Sequence, residues 1–432
     1  MNSNEILVSL DIGTSSVKII IGEMVNGSLN IIGVGNVQSE GLRKGSIVDI
    51  DLTVRSIRRA VEQAERMIGM EINRVIVGIP ANHVSLRPCH GVVAVSTENK
   101  EITDVDVSRV LDAAQVISIP AEREIIDVIP KQFIVDDLGE INDPRGMIGV
   151  RLEMEGMLIT GSKSNLHNIL RCVEKAGLEI ADITLQPLAA GHFALSKDEK
   201  NIGVALIDIG GGSTTIAVFE DGFLKSTSVI PVGGDHITKD LSIGLRTTTE
   251  DAERVKVEQG CAFYDIASED IVVTVPVIGS NEKQKFTQLE IADIIEARVE
   301  EIFELALAEL NKMGVEDLPG GYVLTGGVAN LDGILELAQV VLNNRVRIAC
   351  PDYIGVREPQ YTTAVGIIQF AYQNAKIQGR ELGSEITFEA PEEKSLPGQT
   401  QVKKKQEKKV QEKKEEEKVS SKVKKFFGYF FE

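Results

Sequence analysis

Two segments of this 432-residue chain carry the same groups in the same order: Asp11-Ile12-Gly13-Thr14-Ser15-Ser16-Val17-Lys18 and Asp208-Ile209-Gly210-Gly211-Gly212-Ser213-Thr214-Thr215. Glycine permits a sharp bend and a close approach of backbone to ligand, while Ser and Thr hydroxyls and successive N–H groups line a concavity suited to an anion. Each segment also opens with an acid. Mg2+ is hard, prefers oxygen ligands and keeps several waters, so Asp11 and Asp208 are suited to hold its hydration shell from opposite sides. The chemistry is that of gripping a polyphosphate and its metal. The plain alternative gives each acid only the N–H groups of its own turn. One Asp-Gly hairpin turn is commonplace; its repetition is what points to a ligand.

Such loops need hairpins to hold them. Apolar β-branched runs flank both, residues 6–10 and 17–21 around the first and 204–207 and 216–219 around the second, which predicts antiparallel strands with the segment at the tip. After the first pair comes a polar loop, residues 41–49, then a helix over 51–69 capped by Asp51 or Thr53, with Val54, Ile57, Val61, Ala64 and Ile68 on one face. Residues 74–79 read as a buried strand ending at Pro80. Strands at 91–96, 125–135 and 157–161 with one helix at 103–114 make a small α+β subdomain, and a helix at 164–176 returns the chain. The restart of the first pattern at Val204 implies an internal duplication. The second half carries an insertion of its own: a helix at 247–260, a strand at 271–277 whose Gly279-Ser280-Asn281 turn leads to a partner, and a long amphipathic helix at 289–313. That helix buries Ile291, Ile294, Ile295, Val299, Ile302, Phe303 and Ala306. A strand at 322–324 then feeds a late turn, Thr325-Gly326-Gly327-Val328-Ala329-Asn330.

The C-terminal end poses a separate problem. Residues 392–417 are a mixed-charge run without aromatics, which buries too little surface to offset its ordering entropy and reads as a disordered tether. Beyond it Val419, Val423, Phe426, Phe427, Phe430 and Phe431 share one helical face, flanked by Lys418, Lys422, Lys425 and Lys424. Thirteen residues rise about 20 Å, too short to cross a bilayer. The segment is suited to lie in the membrane interface, phenylalanines in the acyl boundary and lysines at anionic headgroups. Docking on the protein's own core is the alternative, which the tether disfavours. Six apolar side chains at ~2 kcal/mol and four lysines at ~1 kcal/mol give roughly 16 kcal/mol gross, against an ordering cost of about 1–2 kcal/mol per residue. One tail is a marginal anchor, and several linked in a filament hold through effective concentration.

Composition bounds the rest. The formal charge is −19, and residues 391–432 contain 12 Lys and 8 Glu, a local +4 that leaves −23 on the preceding body. An acidic body argues against general nucleic-acid binding. Four dispersed cysteines, Cys89, Cys172, Cys261 and Cys350, and five scattered histidines make no local metal pattern and suit a reducing compartment. The N-terminus enters a strand at once, without a signal or spanning stretch, so a cytoplasmic location is expected.

Phosphate loop, phosphate loop and late Thr-Gly-Gly turn across a duplicated α/β body resemble the actin, sugar kinase and heat-shock chaperone superfamily. Within it the chain is similar to the FtsA family of bacterial division proteins. That resemblance rests on Leu10-Asp11-Ile12-Gly13-Thr14-Ser15, on residues 41–51 followed by Ser56-Ile57-Arg58-Arg59-Ala60-Val61-Glu62-Gln63-Ala64-Glu65, on the insertion at 84–160 and on the Phe-rich end. It covers about residues 5–375 and the last fifteen. It implies an α/β, actin-like (ribonuclease H-like) duplicated two-lobe fold. The first lobe would span 1–83 and 161–197, the inserted α+β subdomain 84–160, the second lobe 198–240 and 302–378 and the second insertion 241–301. A disordered linker at 379–417 and a membrane-targeting helix at 418–432 would follow.

The resemblance also implies an ATP site with Mg2+. Asp11, Gly13, Thr14, Ser15, Ser16 and Lys18 match its first phosphate segment, Lys18 falling where actin has its phosphate-binding lysine. Asp208, Gly210, Gly211, Gly212, Ser213 and Thr214 match the second, and Gly326, Gly327 and Asn330 match the adenosine segment. Glu253 and Lys256 match a helix that contacts ribose and base in chaperone relatives; otherwise they are an ordinary exposed i,i+3 ion pair. Gln186 in Gln186-Pro187-Leu188-Ala189-Ala190 stands where the chaperones have a glutamate. An amide orients water but is no general base, so tight ATP·Mg binding with slow or undetectable turnover is expected. The implied function is a polymerising adaptor on the inner face of the cell membrane at the septum, binding anionic lipid, other division proteins and a C-terminal peptide of FtsZ. Arg298 falls near an FtsA-like arginine for that peptide, or else pairs with Glu301. A soluble PilM-like assembly protein and a small-molecule kinase of the superfamily are the competing readings. The first lacks a Phe-rich tail and the second needs a catalytic acid in a motif not found here.

Overall fold

The fold, taken from a computed structural model, is described for residues 5–279, 283–380 and 382. The expected tether and terminal helix lie outside these residues, with Val419, Val423, Phe426, Phe427, Phe430, Phe431, Lys422, Lys424 and Lys425, as do Ser280 and Asn281 of the expected turn.

The chain begins with an antiparallel meander, β1 (Glu5–Ile12), β2 (Ser16–Val25) and β3 (Ser28–Gln38). Within the polar loop lies a short hairpin, β4 (Leu42–Arg43) and β5 (Ser46–Ile47), followed by α1 (Ile50–Ile68) and β6 (Arg74–Ile79). The α1 cap is Asp49, not Asp51 or Thr53: its backbone is extended and its carboxylate accepts from the Leu52 N–H at 2.9 Å. Inserted next are β7 (Ser85–Ala94), α2 (Asp104–Ala114), β8 (Arg123–Val135), β9 (Leu138–Ile141) and β10 (Arg151–Ser162), in a sheet of order β7-β10-β8-β9. The first of these strands lies earlier than the expected 91–96. Pro88 and Gly91 look like breaks, yet the proline fits an edge strand, and at Gly91 a Cβ would meet the Val110 carbonyl of the crossing helix at 2.2 Å. α3 (Lys163–Lys175), β11 (Glu179–Leu185) and α4 (Gln186–Ala194) complete the first lobe, whose sheet order is β11-β6-β1-β2-β3.

After α5 (Lys197–Ile202) the design repeats. β12 (Val204–Ile209), β13 (Thr214–Glu220) and β14 (Phe223–Ile230) form the second meander, followed by α6 (Gly234–Gly244) and α7 (Thr249–Gln259). A two-stranded ribbon, β15 (Val272–Pro276) and β16 (Lys283–Thr287), runs into α8 (Gln288–Lys312), which opens on a reciprocal Thr287–Glu290 capping box. β17 (Tyr322–Thr325), α9 (Ile334–Leu342), β18 (Val346–Ile348) and α10 (Thr362–Gln378) finish the body. The second sheet, β14-β13-β12-β17-β18, matches the first strand for strand, each with a parallel strand beside the first of its meander.

The lobes share their cores across β12 and β13. Leu206, Ala217 and Phe219 face the core of the first lobe, while Ala205, Ile207, Ile216 and Val218 face that of the second. A strand buried on both faces must read as a continuous apolar run, which is how residues 204–207 read. The terminal helices are exchanged: α4 packs on β12 and β13, and α10 on β1, β2 and β6. They cross where a Cβ on Gly366 would lie 2.3 Å from the Ala189 carbonyl. At the far end of α10, Asn374 Nδ2 donates to Asp127 Oδ2 of β8 at 3.1 Å, and Arg145 of the inserted subdomain donates to the Lys376 and Ile377 carbonyls. Arg380 holds Asp182 of β11 at 3.1 Å.

Gly366→Ala is expected to force the helices apart and cost about 1–3 kcal/mol, read as a lowered melting temperature; unaltered melting would show a loose crossing. Burial, then the Asp182 carboxylate, push the Asp127 carboxyl up to about 7 against the pull of Arg380. The folded chain therefore keeps a proton that the unfolded chain releases near the ordinary aspartate value, and stability falls as pH rises from about 4 through 7. Asp127→Asn is expected to flatten that fall in denaturant titrations across this window, and an unchanged slope would assign it elsewhere.

Candidate functional site

The duplicated hairpins bring their tips together. Each tip closes with the same turn: the Gly13 N–H donates to the Ser16 carbonyl and the Gly210 N–H to the Ser213 carbonyl, both at 3.0 Å. The tips touch rather than merely face one another. A Cβ on Gly211 would lie 1.6 Å from Ser15 Oγ and one on Gly212 2.5 Å from Thr14 Cγ2, so only glycines allow this approach. Ser15 Oγ donates across the cleft to Asp235 at 3.1 Å.

Behind the tips sit the charges. Asp11 and Lys18 are register partners on β1 and β2, both buried, and Lys18 Nζ lies 3.4 Å from Asp11 Oδ2. The other Asp11 oxygen accepts from Gln186 Nε2 at 2.7 Å, at the start of α4. Asp208 occupies the matching place on β12 and accepts from Thr363 Oγ1, in the first turn of α10, at 3.1 Å. Burial and then the Asp11 carboxylate hold the Asp208 carboxyl above the ordinary aspartate range, with Lys18 and the Thr363 hydroxyl opposing. Two carboxylates thus share one ammonium. A hard dication that keeps most of its ligands as water fits that deficit.

The surroundings fix each tip. The Gly45 N–H donates to Thr14 Oγ1 (3.1 Å) and the Ser39 N–H to the Ser15 carbonyl (3.0 Å), which gives the polar loop 41–49 its place. The Gly234 and Asp235 N–H groups donate to the Gly210 and Gly211 carbonyls at 2.9 and 2.8 Å. Sequence reasoning missed Val232-Gly233-Gly234-Asp235. Its signal was the glycine pair before an acid: a Cβ on Gly233 would meet the Gly210 carbonyl at 2.4 Å. The Thr214 hydroxyl, expected to border the ligand, is buried and donates to the Val232 carbonyl at 2.8 Å, leaving only its backbone to the loop.

The late turn joins this site. Gly326 has φ +90°, and a Cβ there would lie 2.3 Å from Asp208 Oδ1, whereas one on Gly327 would meet nothing within 4 Å. Asn330 Nδ2 donates back to the Gly327 carbonyl at 3.2 Å. Glu253 and Lys256 do pair, at 2.7 Å, but not as an exposed couple: Lys256 is buried and also donates to Thr238 Oγ1 (2.9 Å) and the Gly234 carbonyl (3.3 Å). It thereby braces the helix start that carries Asp235. Arg298 lies away from the tips on α8, donating to Asp240 of α6 at 2.6 Å and to Glu301.

With this geometry in view, likeness to known proteins decides the family. The model of "Cell division protein FtsA" matches residues 205–366, and that of the SHS2 domain inserted in FtsA matches residues 81–160. The cell division protein FtsA of Bacillus subtilis (strain 168) is 66% identical over 393 residues, 91% of this chain and 89% of that protein. The chain belongs to the FtsA family. Its fold is actin-like with the SHS2 insertion. PilM, in the PilM–PilN type IV pilus biogenesis complex, superposes with a TM-score of 0.57 at 16% identity, covering 84% of this chain and 97% of its own. MreB5 of Spiroplasma citri, in a structure bound to AMPPNP, gives a TM-score of 0.54 at 16% identity, covering 87% and 98%. These two likenesses show the fold alone, and the SHS2 match runs from β7 into β10.

Asp208→Asn removes the carboxylate that Asp11 opposes. Without metal the variant is expected to melt no lower than the parent, because an ionised group held above its ordinary pKa lowers stability at neutral pH. If the cleft takes Mg·ATP, the stabilisation it brings, about 2.7 kcal/mol at a hundred times Kd, is expected to vanish in the variant. Calorimetric melting with and without Mg·ATP reads both effects, and a variant still stabilised would remove Asp208 from the site.

Proposed function

We propose that this chain binds ATP and Mg2+ between its two hairpin tips, polymerises on the inner face of the cell membrane and anchors FtsZ filaments there during division. The observation that carries the reading is the matched pair of glycine turns with Asp11, Lys18 and Asp208 behind them. In this role the tips part to admit the triphosphate, which takes over the hydroxyl of Ser15 now held by Asp235. Lys18 faces the phosphates, Asp11 and Asp208 hold the hydrated metal, and Gly326 and Gly327 let the backbone pass close to adenosine. Glu253 and Lys256 sit on the nucleotide's second-lobe side.

Slow turnover is supported by Gln186. Its amide nitrogen is engaged by Asp11, which leaves its carbonyl oxygen to orient a water and supplies no base. We assign the lobes to 1–83 with 161–197 and to 198–240 with 302–378, and the second insertion, 241–301, to the FtsZ C-terminal peptide. Arg298, steered by Asp240 and Glu301, is the proposed contact there. Other division proteins fall to the subdomain at 84–160. Membrane attachment is assigned to the amphipathic pattern of residues 418–432. Among the described residues no helix is long and apolar enough to cross a membrane.

Deleting residues 419–432 is expected to leave the heat of ATP·Mg binding intact and to abolish co-sedimentation with anionic liposomes. Continued co-sedimentation would remove the tail as the anchor, and absence of heat in the full chain would remove the nucleotide.

A further inference from the structure

α3 presents Lys163, His167, Arg171 and Lys175 at successive intervals of four residues, all exposed, along one stripe of a thirteen-residue helix. Arg171 and Lys175, like charges four apart, weaken the helix by about 0.2–0.5 kcal/mol, so helix stability alone does not favour this pattern. The neighbouring α1 extends the stripe with exposed Arg55 and Arg58, and Arg58 Nη2 donates to the Lys175 carbonyl at 2.7 Å, fixing the two helices side by side. The acids beside this face are Asp51, 3.7 Å from Lys175, with Glu174, Glu124 and the exposed Glu122, whose carbonyl accepts from the Lys163 N–H at 2.9 Å. Five Lys and Arg outnumber them on a body whose net charge is −23.

The same lobe releases the tail. The strand that follows α3 carries Asp182, which holds Arg380, and Leu382 is buried in the first-lobe core with its N–H 3.3 Å from Glu5 Oε1. A body this acidic, tethered to an anionic surface, is repelled within the Debye length of about 8 Å unless a basic face turns toward it. Each Lys or Arg held near such a surface contributes about 1 kcal/mol.

We propose that the exposed face of α3 and the adjoining start of α1 form a second membrane-contact surface, docking the first lobe on anionic lipid headgroups and so setting the orientation of the body. The proposal rests on the membrane role assigned to the tail and goes beyond it. An amphipathic tail alone is a single attachment, and a single attachment leaves the body free to turn. The competing occupant is the chain's own segment 381–393, which has five Glu and no Lys or Arg.

The test uses the full chain and vesicles of phosphatidylcholine with 30 mol% phosphatidylglycerol. R171E/K175E is expected to bind at least tenfold more weakly at 0.05 M salt, the gap closing by 0.5 M, with melting and ATP binding unchanged. Glu174→Lys is expected to bind more tightly. If R171E/K175E binds like the parent while deletion of 419–432 abolishes binding, this surface is overturned and the tail stands. If the deletion leaves binding unchanged, the tail's role fails instead. Stronger binding by R171E/K175E would assign the face to segment 381–393 and overturn the proposal.

Discussion

The structure turns on a charge deficit. Asp11 and Asp208, each at the head of its own glycine turn, share the single ammonium of Lys18; Asp11 and Lys18 are buried and Asp208 is partly so. An isolated buried carboxylate shifts toward its neutral form, which is what Asp208 does here. Any cation brought into the cleft relieves that strain. In the proposed role a polyphosphate would bring further negative charge to the cleft, so a cation has to arrive with it.

Two devices keep the carboxylates close. The first is duplication: matching meanders place each acid at the same strand position, and β12 and β13 bury one face in each lobe's core. The second is the exchange of α4 and α10. Gln186 at the start of α4 holds Asp11, and Thr363 at the start of α10 holds Asp208, so two helices that cross at Gly366 each present a side chain to one acid. The opposite end of α10 is held by Arg145 and Asp127 of the inserted subdomain, at the root of the tail. Site, insertion and tail root thus meet along one helix.

Much of this was legible in the residues. The hairpins, the acids and the glycines of residues 11–18 and 208–215 were readable because the same Asp-x-Gly turn recurs between β-branched runs. The long α8 was readable from its apolar stripe. α10 was not: eleven of its seventeen residues are buried on several sides, so it lacks an amphipathic period. Neither Thr363 nor Asp235 could be assigned, since each acts on a residue more than 150 positions away. Thr214 misled because a hydroxyl in a glycine loop has two directions to point, and here it points inward to Val232.

NMR titration of the Asp208 carboxyl carbon, with and without Mg·ATP, shows whether the charge deficit exists and what relieves it. The account predicts a free chain in which Asp208 titrates above the ordinary aspartate range and a loaded chain in which it falls below that range. An Asp208 that titrates normally and ignores Mg·ATP would contradict it.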